Sequence, residues 1–137
     1  MRNSMIKITA LIESGEGSDT VEFTTEGKVA MEGETCVLTY TESEVSGMRG
    51  SMTTLRITRD RVVMNRKGFS SSVMEFVRGE RHQSEYATPY GVFTLEILTR
   101  DMSCDMDAEG RGTVDIHYDM SIRGLSQSVN RLTVEVF

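Results

Sequence analysis

The chain of 137 residues contains one proline, two cysteines, two histidines and no tryptophan. Two cysteines are too few for the disulfide framework of a small secreted scaffold, so we expect free thiols and a cytoplasmic protein, although pairing of Cys36 with Cys104 stays open. No apolar run approaches the ~20 residues of a membrane helix, and the alternating first residues are typical of a strand rather than a signal peptide. We therefore expect no membrane partner.

Signatures of catalysis are missing as well. The sequence has no Gly-x-Ser-x-Gly and no phosphate-binding glycine loop, and neither His82 nor His117 stands in a recognisable setting for a nucleophile. We expect a non-enzymatic protein without a cofactor. Barrel folds can host enzymes, so catalysis is unsupported at this point rather than excluded.

The charge is uneven along the chain. The formal net charge is -6, yet residues 49–81 hold eight basic and three acidic residues between two acidic flanks. A basic middle would permit an anion-binding face or self-association, but neutralisation across neighbouring strands is the interpretation we favour. The acidic total and the lack of an aromatic stacking platform argue against a nucleic-acid partner.

Period-two alternation of apolar and polar residues runs through almost the whole chain, and helical periodicity hardly appears. The predicted strands cover residues 6–13, 19–31, 35–42, 52–58, 61–67, 71–77, 81–88, 92–99, 102–108, 113–122 and 128–137. We also predict a bulge or break at Gly27, a longer connection over residues 43–50 and a turn at Gly124.

Short turns between strands imply antiparallel neighbours, and closing the sheet removes the exposed edges that about ten strands would otherwise leave. The sequence thus predicts one all-β domain over residues 1–137. We expect an antiparallel up-and-down meander of about eight to ten strands closed into a barrel, with a two-sheet sandwich as the alternative.

The only proline marks a corner between two predicted strands. Pro89 lies between Tyr86 and Tyr90 and is followed by Gly91, which tolerates unusual backbone angles. The two tyrosines either pack this corner or guard a mouth of the barrel, and we favour packing.

Two charged residues share the parity of apolar neighbours. Glu42 follows Leu38 at even spacing, and Arg66 follows Met64. If these faces point inward, the two side chains must pair, because burying either charge alone is unfavourable. Such a cluster would either hold the polar head of a small amphipathic ligand or simply plug the barrel. The predicted ligand-binding residues are Tyr40, Glu42, Arg66, Tyr86, Tyr90 and Tyr118.

We predict no metal site. Asp115, His117 and Asp119 share one strand face, but the opposite face is the apolar one, so these side chains should face solvent. The segment 105–110 resembles the start of a calcium loop, yet Ile116 stands where the loop needs a glutamate.

Several short blocks resemble one family along nearly the whole chain. They are Tyr40 with Glu42, Arg66-Lys67-Gly68, Met74-Glu75-Phe76 with Gly79, Tyr86-Ala87-Thr88-Pro89-Tyr90-Gly91 with Thr99, and Tyr118 with Asn130. They resemble the YwiB-like family, small bacterial proteins of unknown function. The resemblance implies a calycin-like, lipocalin-resembling β-barrel, although the glycine-x-tryptophan signature of true lipocalins is missing.

The family resemblance implies a fold and supplies no activity. We therefore expect a barrel that binds a small amphipathic ligand. The alternative is a filled barrel that serves as a protein-interaction or homo-oligomerisation module.

Overall fold

The computed structural model describes residues 1–42, 50–123 and 126–137. The predicted turn at Gly124 and all but the last residue of the predicted 43–50 connection lie outside these ranges. The described strands are β1 (Arg2–Ser14), β2 (Gly17–Glu32), β3 (Thr35–Thr41), β4 (Met52–Ile57), β5 (Val62–Lys67), β6 (Ser71–Phe76), β7 (Arg81–Thr88), β8 (Gly91–Met106), β9 (Gly112–Ile122) and β10 (Ser126–Val136).

Each strand pairs antiparallel with its neighbours in the chain, and β1 also pairs with β10, which closes the barrel. The predicted antiparallel barrel is confirmed. We call the end where β1, β3, β5, β7 and β9 finish the upper end, and the opposite end, which holds both termini, the lower end. The described part of the chain holds no helical segment with the length and hydropathy needed to span a bilayer.

Two predicted strands, 92–99 and 102–108, are one strand in the structure. Strand β8 runs through both, with a register shift between Thr99 and Asp101. The inward residues are odd-numbered before the shift, ending at Thr99, and even-numbered after it, starting at Met102. One extra residue reverses which face a side chain occupies, so the bulge keeps both halves apolar on the inside.

The predicted bulge or break at Gly27 is wrong. Strand β2 passes through Gly27 with its register to Ser4 intact. A Cβ at this position would lie 2.5 Å from Ile6 Cδ1 and 2.8 Å from the Thr39 carbonyl oxygen. The glycine therefore serves close packing of the backbone against its neighbours rather than a change in register.

Apolar side chains fill the barrel between the two ends. The fully buried ones include Phe76, Ile6, Leu38, Leu55, Ile57, Leu95, Ile97, Ile116, Val29, Val62, Val114 and Val134. Their removal from water is the main force that holds the barrel closed.

The basic middle is neutralised across strands, as the sequence predicted. Arg61 contacts Glu75 at 2.6 Å and Arg56 contacts Glu32 at 3.0 Å. Arg81 contacts Glu96 at 2.8 Å. These pairs place a carboxylate beside each of three arginines on the outer face.

The contact between β6 and β7, which we call the β6–β7 seam, is the weakest in the wall. Its register contains only two pairs, Ser71 with Ala87 and Ser72 with Tyr86. Beyond them the strands separate, and Ser84 Oγ donates to the Val73 carbonyl oxygen at 2.5 Å. The barrel wall is therefore locally opened below these two pairs, between residues 73–76 and 81–85, on the side of the lower end.

Candidate functional site

A row of polar side chains crosses five consecutive strands, β3 to β7, near the upper end. Tyr40 pairs with Thr53, Thr53 with Arg66, Arg66 with Ser72, and Ser72 with Tyr86 on a fifth strand. Directly paired residues in a sheet point to the same face. Tyr40, Thr53 and Ser72 are buried, so this face is the interior. We call these five residues the polar row.

Arg66 of the polar row forms an ion pair, shielded from water, with the neighbouring Glu42. Arg66 Nη2 donates to Glu42 Oε1 at 3.1 Å, and the side chains are 17% and 2% exposed. Thr53 Oγ1 donates to the same carboxylate oxygen at 2.8 Å. Arg66 Nε makes a longer contact of 3.4 Å with the Thr53 hydroxyl. The pair predicted from the shared parity therefore forms, and Thr53 joins it.

Tyr40 lies in the same buried environment. Burial, together with the Glu42 carboxylate, raises the pKa of Tyr40 above its usual range, while Arg66 and Thr53 act in the opposite direction. The ring packs near Phe23, with the two ring centroids 6.3 Å apart. Tyr40 therefore stays protonated at neutral pH and can offer a hydroxyl rather than a charge.

A second set of polar residues faces the polar row from the other side of the barrel. Thr99 pairs with Tyr118, and Tyr118 pairs with Asn130. The Tyr118 ring packs edge-on against Phe76 with centroids 4.9 Å apart. Burial raises the pKa of Tyr118 to about 12, and the nearby Arg66 charge opposes that rise. We call Thr99, Tyr118 and Asn130 the facing row.

Thr99 is fully buried, yet its hydroxyl oxygen has no hydrogen-bond partner within the described ranges. Asn130 Nδ2 donates to Ser128 Oγ at 2.9 Å. A buried hydroxyl without a partner is uncommon in folded proteins, because its desolvation is not compensated. The facing row can therefore form at least one further hydrogen bond, through the Thr99 hydroxyl.

The raised pKa of Tyr118 predicts a loss of stability at high pH. Because the folded protein holds this proton more tightly than the unfolded chain, stability is complete below about pH 10 and falls as the pH rises towards 12. We expect Tyr118→Phe to reduce that fall, measured as the urea midpoint against pH. An unchanged pH dependence in the variant would contradict the buried placement of the phenol.

The two tyrosines of the proline corner lie in different surroundings. Tyr86 belongs to the polar row and packs partly buried against the core. Tyr90 is 88% exposed, and its backbone N–H donates to Thr88 Oγ1 at 3.1 Å in the turn. The structure thus brings Tyr40, Glu42, Arg66, Tyr86 and Tyr118 towards one end of the interior. Tyr90 neither joins them nor packs the corner.

A groove of about 580 Å³ lies over the β6–β7 seam, and its walls include Arg66, Ser72, Val73, Ser84 and Ala87. It therefore reaches two members of the polar row from outside. A separate groove of about 630 Å³ crosses β8, β9 and β10 and borders neither Arg66 nor Ser72. Because it does not touch the polar row, we do not assign the predicted site to it.

The sequence interpretation missed Thr53, Ser72 and Thr99. Thr53 shares parity with Leu55, and Ser72 shares parity with Met74. Both residues could therefore have been predicted to face inward, because they have the same parity as apolar residues of their strands. Thr99 also lies in phase with Leu95 and Ile97, at the last position before the bulge.

The outer face of β9 is solvated and paired, as expected. Arg131 binds both carboxylate oxygens of Asp115, at 3.0 and 2.9 Å, and these contacts hold the pKa of Asp115 below its usual range. Arg100 Nε donates to Asp119 at 2.8 Å. Within residues 1–42, 50–123 and 126–137, no group of three His, Cys, Asp or Glu side chains is placed to hold a metal ion.

Both cysteines are free and line one cavity of about 390 Å³ at the lower end. Burial raises the pKa of the Cys36 thiol, and it raises the pKa of Cys104 to about 11. Neither thiol is activated as a nucleophile, because the thiolate is the reactive form.

The fold and this site define a class, namely closed antiparallel β-barrels with a buried ion pair and a polar interior row near one end. The chain belongs to the family described as a domain of unknown function (DUF1934), which matches residues 6–134. The expected YwiB-like membership is thereby confirmed.

A solved structure supports the fold. The crystal structure of the ywiB protein from Bacillus subtilis superposes with a TM-score of 0.85, at 22% sequence identity, over 98% of this chain and 89% of that chain. At this identity the likeness shows the fold alone. No curated protein matches the chain.

Proposed function

We propose that this barrel is a non-enzymatic binding protein for a small amphipathic molecule, held at the groove over the β6–β7 seam. The observation that carries the proposal is that an open groove of about 580 Å³ borders Arg66 and Ser72 of the polar row. Small-molecule sites commonly measure ~300–1,000 Å³ and combine apolar walls with a few placed polar groups.

The distribution of burial supports the same end of the barrel. Inward-facing apolar side chains near the upper end, such as Phe23 and Tyr86, are only partly buried. Those deeper in the barrel, such as Phe76 and Ile116, are fully buried. Apolar surface that the barrel itself does not cover is available to the apolar part of a ligand.

The expected cellular location and class of partner are also part of this proposal. Free Cys36 and Cys104 support a cytoplasmic location, because disulfides are rare in that reducing compartment. Neutralised basic residues on the outer face support a small molecule rather than a nucleic acid as the partner.

Native mass spectrometry of the freshly purified protein tests the proposal. We expect an added mass of one small molecule per chain that is lost on denaturation. Ala87→Trp should abolish the added mass because it fills the groove, whereas Ser103→Trp, at an exposed position on β8, should retain it. An added mass that Ala87→Trp leaves intact would place the ligand elsewhere. The mass of the bare chain in every preparation would contradict the proposal.

A second candidate is a filled barrel that acts through self-association. It is favoured by exposed apolar side chains on the outer face, where Leu11 of β1 and Val129 of β10 lie on neighbouring strands at 39% and 55% exposure. The same mass measurement reports the number of chains. A stable dimer without a small molecule would favour this candidate.

A further inference from the structure

The charges around the candidate site cancel. Arg66 is neutralised by Glu42, and the groove adds one exposed cation, Lys67, and one exposed anion, Glu85. Its other polar groups are uncharged and include Ser71, Ser72, Ser84 and Asn65. The site therefore combines three serine hydroxyls and one amide with no uncompensated charge.

We infer that the ligand carries an uncharged, hydroxyl-rich head group, such as a sugar, rather than a carboxylate, phosphate or sulfate. This inference rests on the proposed function and specifies the class of ligand. A hydroxyl group both donates and accepts hydrogen bonds, so it matches serine hydroxyls and an amide equally well. An anion would bring a net charge into a partly desolvated site whose only buried cation already has a carboxylate partner.

An independent observation comes from the facing row. The Thr99 hydroxyl is fully buried on the inward face and has no partner among the described residues. Its neighbours across the strands are the Tyr118 phenol and, beyond it, the Asn130 amide. Thr99 does not line the groove, so this row shows only that the interior behind the site offers neutral hydrogen-bonding groups rather than charge.

Two probes with the same eight-carbon chain separate the head-group classes. Octyl glucoside and octyl sulfate are titrated into the purified protein below their micelle concentrations, with binding followed by calorimetry. We expect octyl glucoside to bind about tenfold more tightly, as one to two hydrogen bonds would give. Equal or tighter binding of octyl sulfate overturns the inference and leaves the proposed function standing. Binding of neither probe overturns both.

Removal of the Ser72 hydroxyl gives a second readout. Ser72 lines the groove, and for Ser72→Ala we expect the affinity for octyl glucoside to fall about threefold to tenfold while that for octyl sulfate stays unchanged. Ser103→Ala, at an exposed position on the outer face of β8, is the matched control. Equal losses for both probes, or losses in the control, contradict the assignment.

Discussion

Glu42→Leu is expected to lower the free energy of unfolding by about 3 kcal/mol, because it leaves the Arg66 guanidinium shielded from water without its carboxylate partner. Arg66 is 17% exposed and Glu42 only 2%, so the arginine cannot recover full hydration without leaving the interior. Thr53 also loses its acceptor. Urea denaturation monitored by circular dichroism measures the change.

The double variant Glu42→Leu/Arg66→Met should recover most of that loss. Replacing both members of a buried pair by apolar residues of similar size is often nearly neutral, whereas removing one member is not. The matched control is the exposed pair of Arg56 and Glu32, at 56% and 58% exposure, where Glu32→Leu should change stability by less than about 1 kcal/mol. Similar losses from Glu42→Leu and Glu32→Leu would contradict a buried pair.

Phe76→Ala is expected to lower the free energy of unfolding by about 4 kcal/mol. Phe76 is fully buried, and its ring packs edge-on against Tyr118 at a centroid distance of 4.9 Å. Truncation removes apolar contacts from both sides and leaves a cavity beneath the facing row. The same urea measurement applies.

The control for this truncation is Phe69→Ala in the turn between β5 and β6. Phe69 is 77% exposed, so the identical substitution should change stability by no more than about 0.5 kcal/mol. Phe69 is also close in sequence to the groove, which makes it a useful check on binding. A large loss in Phe69→Ala, or a small one in Phe76→Ala, would contradict the placement of the two rings.

Alternation predicted most of the strands, because one buried face forces period two. Closure into a barrel was also predictable, since short turns and unpaired edges leave few other arrangements. The bulge after Thr99 was not predicted, because a change in parity looks the same in sequence as the start of a new strand. The prediction at Gly27 was wrong for a related reason, because a glycine required by close packing and a glycine at a bulge look the same in the sequence.

The site was predictable only in part. Parity alone predicted that Glu42 and Arg66 face inward, and the contact between them confirms this prediction. The polar row depends on the register of five strands, which turn geometry sets and which a single strand's pattern does not contain. Tyr90 was grouped with the site because of its position beside Pro89, yet the turn directs it to solvent.

Amide chemical-shift mapping of the isotope-labelled protein with octyl glucoside tests most directly whether the upper end of the barrel is the binding site. We expect the largest shifts at Arg66, Ser72, Ser84 and Ala87 around the groove, with smaller ones at Thr99 and Tyr118. Residues at the lower end, such as Cys36 and Cys104, should not shift. Shifts concentrated at the lower end, or along the separate groove over β8 to β10, would contradict the assignment.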